Sequence, residues 1–203
     1  MEFFDHILSN PGKRIRPGLT LLSAGFHPAD HTKTEIMATA VELLHIATLV
    51  HDDTIDKSQK RRGKDTITKR WGTNLAIMIG DYVGAASARF VCLTGEIQVI
   101  DRFAETIMEL SSGQLAEMSR AYDLSLTRGD YFQRIYQKTA SLFTTASESG
   151  AILGGSPEKT VEALRNYGLN LGIAYQISDD ILDFDGTEAE VGKPVGQDLL
   201  QGT

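Results

Sequence analysis

The chain is short of the features that would tie it to several common roles. Among 203 residues there is one cysteine, Cys92. That leaves no partner for an internal disulfide and fits a reducing compartment. Basic residues are outnumbered, 20 Lys+Arg against 27 Asp+Glu for a net charge of -7. A surface of that sign is a poor match for duplex phosphates, so no nucleic-acid partner is expected. A long uninterrupted apolar run is missing as well. The most apolar stretch, residues 75–93, is broken by Asp81 and Arg89, so no membrane span is expected. The opening MEFFDHILSN carries Glu2 and Asp5 where a signal peptide needs positive charge. A cytoplasmic protein is the expectation. The length suits one domain, taken as 1–203.

Strict alternation of apolar and polar residues is almost absent, and with it the signal for strands. Helical spacing recurs instead. Thr32 followed by Glu35 reads as a capping box opening a run through Met37, Ala40, Val41 and Leu44 to Val50. A second run begins near Thr73 and is apolar nearly all round, the pattern of a helix at the centre of a bundle. A third covers 96–122, and a fourth starts at Thr127 and Asp130 and runs to 151. Ser156-Pro157 reads as N-cap and first residue of a fifth that ends near Asp185. Short links carrying glycine join them, which predicts an all-α, antiparallel helical bundle. Beyond Asp185, Gly186, Gly192, Pro194, Gly196 and Gly202 break every helical pattern and read as a mobile loop.

Two matching acidic clusters stand out: Asp52-Asp53-Thr54-Ile55-Asp56 and Asp179-Asp180-Ile181-Leu182-Asp183. On a helix, residues four apart share a face, so Asp52 points with Asp56 and Asp179 with Asp183. Such like-charge pairs destabilise an isolated helix by a few tenths of a kcal/mol. A solvated acidic face would account for one cluster but poorly for two alike. Hard carboxylate oxygens suit Mg²⁺, which takes one or two carboxylates and completes its shell with water and substrate phosphate. Cations lie close in sequence: Gly12-Lys13-Arg14-Ile15-Arg16-Pro17 upstream and Arg61-Arg62-Gly63-Lys64 just after the first cluster. Arginine forks bind phosphate oxygens in pairs and lysine binds them as a point charge. In an acidic protein this combination points to a diphosphate bridged to carboxylates by Mg²⁺.

The order G-K-R-x-R-P, H-x6-D-D-x-x-D-x4-R-R-G, K-T and Q-x2-D-D-x-x-D resembles the trans-polyprenyl diphosphate synthases over nearly the whole chain. The motifs are closest to medium- and long-chain members such as octaprenyl or heptaprenyl diphosphate synthases. The resemblance implies a helical bundle of the isoprenoid-synthase type around an apolar cavity, and Mg²⁺-dependent prenyl transfer. An allylic diphosphate ionises, the double bond of isopentenyl diphosphate attacks the cation, and pyrophosphate and a proton leave. It further implies that Asp52 and Asp56 bind Mg²⁺ on the allylic diphosphate with Asp53 supporting. Asp179 would hold a further Mg²⁺, with Asp180 and Asp183 beside it. Arg61 would contact the allylic diphosphate. Lys13, Arg16, His45 and Arg62 would form the isopentenyl diphosphate site, and Lys138, Thr139 and Gln176 would touch the allylic substrate. His45 alone would read as a packed core histidine, but it shares a helical stripe with Asp52. A homodimer is also implied.

In that family, bulky residues just before the first acidic cluster block the growing chain. Here those positions are Ala47 and Thr48. Thr48 lies on the Asp52 stripe, whereas Ala47 falls about 140° round an ideal helix. The expectation is a product beyond fifteen carbons. Two rivals remain: a terpene cyclase, disfavoured by the intact second cluster and by Lys13, Arg16 and Arg62, and a non-catalytic subunit of a heteromeric prenyltransferase. Family members usually extend further at both ends, so the chain is expected to be the catalytic middle of a longer domain. They also often carry lysine where this chain has Thr203.

Overall fold

The computed structural model describes residues 2–9, 12–28, 31–187, 195–196, 199–200 and 202. Helices dominate: α1 (Glu2–Leu8), α2 (Ile15–Ala24), α3 (His31–Ile55), α4 (Ile67–Trp71), α5 (Thr73–Cys92), α6 (Ile97–Ser119), α7 (Arg128–Ile135), α8 (Ser141–Leu153) and α9 (Glu158–Asp185). The all-α expectation holds, with one small exception. Lys60–Arg61 (β1) and Lys64–Asp65 (β2) pair antiparallel as a two-residue hairpin. Its corner is Arg62-Gly63, both with positive φ (50° and 78°), the backbone that matches the twist of a tight hairpin. Four residues alternate too briefly to register as strands in a sequence.

Several boundaries shift from the expected ones. Thr127 and Asp130 do form a reciprocal capping box at the start of α7. Thr32 does not cap: the helix has already begun at His31. Thr73 is likewise inside α5, after Gly72, and Pro157 rather than Ser156 precedes α9. The run from Thr127 to 151 is not one α-helix. A π turn, Tyr136–Ala140, separates α7 from α8.

The central helix is not the one the apolar pattern indicates. Helix α5 lies on the flank, setting Ala76, Ile79 and Val83 against Ala47 and Val50 of α3 and Ile67 of α4. Its other face leaves Ile77, Met78 and Tyr82 exposed. By length and composition α5 could cross a membrane, Asp81 and Arg89 notwithstanding, but its inner face is part of this core. The buried centre is α8, rich in serine and threonine. All its hydroxyls but that of Ser149, which is buried without a partner among the described residues, bond to backbone one turn back: Thr144 donates to the Ala140 carbonyl at 2.8 Å and Thr145 to that of Ser141 at 3.0 Å. Hydroxyls satisfied in this way can be buried without the penalty of an orphaned polar group. Small side chains on α8 then let α2 and α9 come close. Around it Met37, Val41 and Leu44 of α3 meet Val99 and Phe103 of α6 and Leu142 and Phe143 of α8.

Of the tail, Gly192, Pro194 and Thr203 lie outside the described residues. The Gly196 N–H donates to the Asp183 carbonyl at 2.7 Å, and the Tyr122 hydroxyl donates to that of Leu200 at 2.6 Å.

Candidate active site

Both acidic clusters fall in the last turns of long helices, Asp52–Asp56 at the end of α3 and Asp179–Asp183 at the end of α9. Carboxylates are misplaced there, because the helix C-terminus already carries partial negative charge worth about 0.3–1 kcal/mol per unfavourable group. A cation reverses that balance. Helices α3 and α9 both pack on α8, so the two acidic ends rise from a common support.

The residues of the first cluster divide their tasks. Burial pushes the Asp52 carboxyl up to about 6, against the pull of Lys138 and Arg61, and the charge of Asp56 adds to the rise. Asp56 lies just past the end of α3, but its N–H still reaches the Asp52 carbonyl at 2.9 Å and keeps the helical spacing. Asp53 is buried and accepts the Arg61 Nε–H on both carboxylate oxygens, at 2.8 and 2.9 Å. The hairpin is thereby pinned to α3 through Arg61.

On the α9 side, Asp180 accepts hydrogen bonds from the Tyr131 hydroxyl and from Gln176 Nε2, each at 2.7 Å. Gln176 in turn accepts from the Thr139 hydroxyl. Asp183 is buried and Asp179 exposed. Beside the first cluster stands Lys138, whose charge acts on both Asp52 and Asp56; its ammonium is paired with Glu117 of α6, which also faces Arg134 at 3.7 Å.

A third group forms the cationic side. Burial lowers the Arg16 guanidinium to about 10, with Tyr175, Glu42 and Asp179 opposing. It lies 4.4 Å over the Phe143 ring, and its Nη1 donates to His45 Nε2 at 3.3 Å. Burial drives His45 down to about 2, and the neighbouring Arg16, Arg62, Arg61 and Arg14 push the same way. His45 is therefore a neutral acceptor that steers Arg16. Arg62 sits against Gly12: a Cβ there would stand 2.7 Å from its Nη1. The two basic runs, distant in sequence, thus meet beside a cleft of about 70 Å³ whose walls include His45, Asp53, Arg61 and Arg62. Lys13 is exposed at its edge of the chain. Thr48, partly buried, donates its hydroxyl to the His45 carbonyl at 2.8 Å. Ala47 packs in the α3–α5 core.

Among the described residues, no three carboxylate, histidine or cysteine side chains converge closely enough to hold a metal ion by themselves. The donors nonetheless fit a divalent cation shared with a ligand. They are all oxygen, they come one or two at a time, and Asp52 is held high by burial and a like charge. The buried Arg16 Nε, which has no hydrogen-bond acceptor, fits an anion on the cationic side.

Sequence reasoning missed Glu117, Tyr131 and Gly113. Glu117 had a signal: Phe103, Thr106, Leu110 and Gly113 form the inward stripe of α6, and Glu117 continues it with an acid. Tyr131 had none.

The helical bundle is the fold of solved polyprenyl synthases. The structure superimposes on heptaprenyl diphosphate synthase from Staphylococcus aureus with a TM-score of 0.93 at 42% identity, covering 97% of this chain and 63% of that one. It superimposes on a polyprenyl synthase from Caulobacter crescentus CB15, complexed with calcium and isoprenyl diphosphate, with a TM-score of 0.91 at 38% identity over 96% and 59%. The chain belongs to the polyprenyl synthetase family, whose model matches residues 1–203. It is 42% identical to heptaprenyl diphosphate synthase component 2 of Bacillus subtilis, over 97% of this chain and 57% of the relative. It is 33% identical to octaprenyl diphosphate synthase of Escherichia coli over 97% and 61%. The chain thus spans about three fifths of the length of these relatives.

Proposed function

We propose that this chain carries the site of a trans-prenyltransferase that joins isopentenyl diphosphate to an allylic diphosphate, releases pyrophosphate and yields a chain longer than fifteen carbons. The observation that carries this reading is the pair of acidic helix ends on one support, with the charge of Lys138 acting on Asp52 and Asp56, and with Arg16 bonded to His45 of a cleft that Arg62 also lines. Asp52 and Asp56 would hold Mg²⁺ from one side and Asp179 from the other. Bound there, the cation neutralises charge developing on departing pyrophosphate. Lys138 and Arg61 add positive charge at the same end, and Thr139 and Gln176 orient the allylic group. Arg16, Arg62 and Lys13 bind the second diphosphate, with His45 holding Arg16 in place. The apolar interior of the bundle keeps water from the carbocation. The small Thr48 leaves room below Asp52 for a growing chain.

The exposed apolar face of α5, with Ile77, Met78 and Tyr82, supports the homodimer as the working assembly. A second reading has specific support. The B. subtilis relative is named component 2, which implies a partner subunit for that protein. In this reading the chain works as one subunit of a heteromeric prenyltransferase.

The test is incubation with isopentenyl diphosphate, farnesyl diphosphate and Mg²⁺, reading product masses with and without chelator. The expected result is a ladder rising by five-carbon units that chelator abolishes. Product only when a second subunit is added supports the heteromeric reading. Product formed from farnesyl diphosphate alone, without isopentenyl diphosphate, contradicts both.

A further inference from the structure

The π turn Tyr136–Ala140 carries Lys138 and Thr139, and the two neighbours address different walls: Lys138 reaches Glu117 of α6, and Thr139 reaches Gln176 of α9. Such turns are rare, and they recur at functional sites because the extra residue re-aims side chains that a regular helix would space about 100° apart. An extra residue in a buried helix needs a seat. One stripe of α6 supplies it, at positions i, i+4 and i+8: Glu109, Gly113 and Glu117. Glu109 accepts the Tyr136 hydroxyl at 2.7 Å, and Glu117 accepts the Lys138 ammonium. Between these acids Gly113 is buried against the turn. A Cβ on it would stand 2.9 Å from Gln137 Cβ and 3.2 Å from the Lys138 amide nitrogen. From the far side α9 closes on the turn, where a Cβ on Gly172 would lie 2.5 Å from Ala140 Cα. The turn is gripped on both sides, so it cannot step away from added volume at 113.

We propose that Gly113 is a positioning residue: its missing side chain lets the π turn seat between Glu109 and Glu117, and that seat aims Lys138 and Thr139 at the diphosphate of the allylic substrate. The proposal rests on the prenyltransferase reading above. It concerns a residue that touches no substrate and acts through the backbone of Gln137 and Lys138.

The experiment compares the wild-type chain with Gly113→Ala, Gln137→Gly and the double variant, each checked for helical content. Two readouts are taken: steady-state constants for both substrates, and calorimetric binding of inorganic pyrophosphate with Mg²⁺. Gly113→Ala is expected to lower kcat by roughly tenfold to a hundredfold, the range for a sub-ångström to ångström misplacement. It should raise KM for the allylic diphosphate, leave KM for isopentenyl diphosphate unchanged and weaken pyrophosphate binding. Gln137→Gly removes the nearest atom that the new methyl meets, at 2.9 Å, and leaves the Lys138 amide nitrogen at 3.2 Å, so the double variant should recover part of the loss, measured against Gln137→Gly alone. Should Gly113→Ala not fold, Tyr136→Phe loosens the same seat without added volume, and a smaller change of the same kind is expected. Wild-type kinetics and pyrophosphate affinity in Gly113→Ala would overturn the proposal. So would a loss that the second substitution leaves untouched, or a Tyr136→Phe variant with unchanged allylic KM. A wild-type chain that neither turns over nor binds pyrophosphate would refute the prenyltransferase reading itself, and the proposal with it.

Discussion

Asp53 follows Asp52 directly but serves a different partner: its buried carboxylate takes the Arg61 Nε–H on both oxygens, at 2.8 and 2.9 Å. One step along a helix is a turn of about 100°, so adjacent aspartates of one cluster face different walls. Asp52 looks toward Lys138, while Asp53 anchors the hairpin that carries Arg61 and Arg62.

That division predicts coupling between Asp53 and Arg61. Asp53→Ala and Arg61→Ala should each reduce kcat/KM, and the double variant should lose much less than the sum. A coupling energy within about 0.5–3 kcal/mol is expected for residues in such contact. Arg61→Lys should not rescue, since a compact ammonium cannot hold Asp53 and reach a diphosphate at once, as separate edges of a planar guanidinium can. A double-mutant cycle on kcat/KM measures this, and strict additivity would sink it.

His45 gives a pH dependence of stability with a definite sign. Burial holds its folded value near 2, below the ordinary 6.5. Above 6.5 it is neutral in both states and contributes no slope. Below 6.5 the unfolded chain takes up a proton that the folded chain refuses, so stability falls as pH falls, by at most about 1.4 kcal/mol per pH unit from this group. Asp52 works the other way, since its raised value makes the folded state the better proton acceptor between 3.8 and about 6. Denaturant melts from pH 7 down to pH 4.5 should therefore show a shallower decline for His45→Gln than for wild type. Parallel curves would refute the assignment of a buried neutral imidazole.

Two glycine substitutions should move stability in opposite directions. A Cβ on Gly150 would stand 2.2 Å from the Thr20 carbonyl oxygen, where backbone must shift to admit it. Gly150→Ala should destabilise by about 1–3 kcal/mol, as overpacked cores do. On Gly84, inside α5, the same atom would meet only Ala47 Cβ at 3.9 Å. Gly84→Ala should stabilise by about 0.5–1 kcal/mol through helix propensity and a less flexible unfolded chain. Thermal denaturation of the two variants checks both signs together.

Much of this site was legible because charge in a helical sequence is conspicuous. The two aspartate clusters, the flanking arginines and the helices that bear them all follow from spacing. The meeting of Arg62 with Gly12 does not, because a contact between distant segments leaves no local periodicity. The π turn was hidden for a different reason: Tyr136–Ala140 has the composition of ordinary helix, and only its neighbours on α6 and α9 reveal the extra residue. The central place of α8 leaves no apolar signal, because its burial rests on serines and threonines most of whose hydroxyls bond to backbone carbonyls one turn back. Helix α5 was misjudged conversely, since Ile77, Met78 and Tyr82 are apolar but lie outside the core.

The account stands or falls on the two acidic helix ends acting together on one diphosphate. The direct measurement is turnover of Asp52→Ala and Asp179→Ala beside wild type, with far-ultraviolet circular dichroism to confirm that the helices persist. Each substitution should lower kcat by about a thousandfold or more, the scale of several kcal/mol of lost transition-state charge stabilisation, while the spectrum stays that of the parent. Turnover within a few-fold of wild type in either variant would contradict the shared metal–diphosphate site.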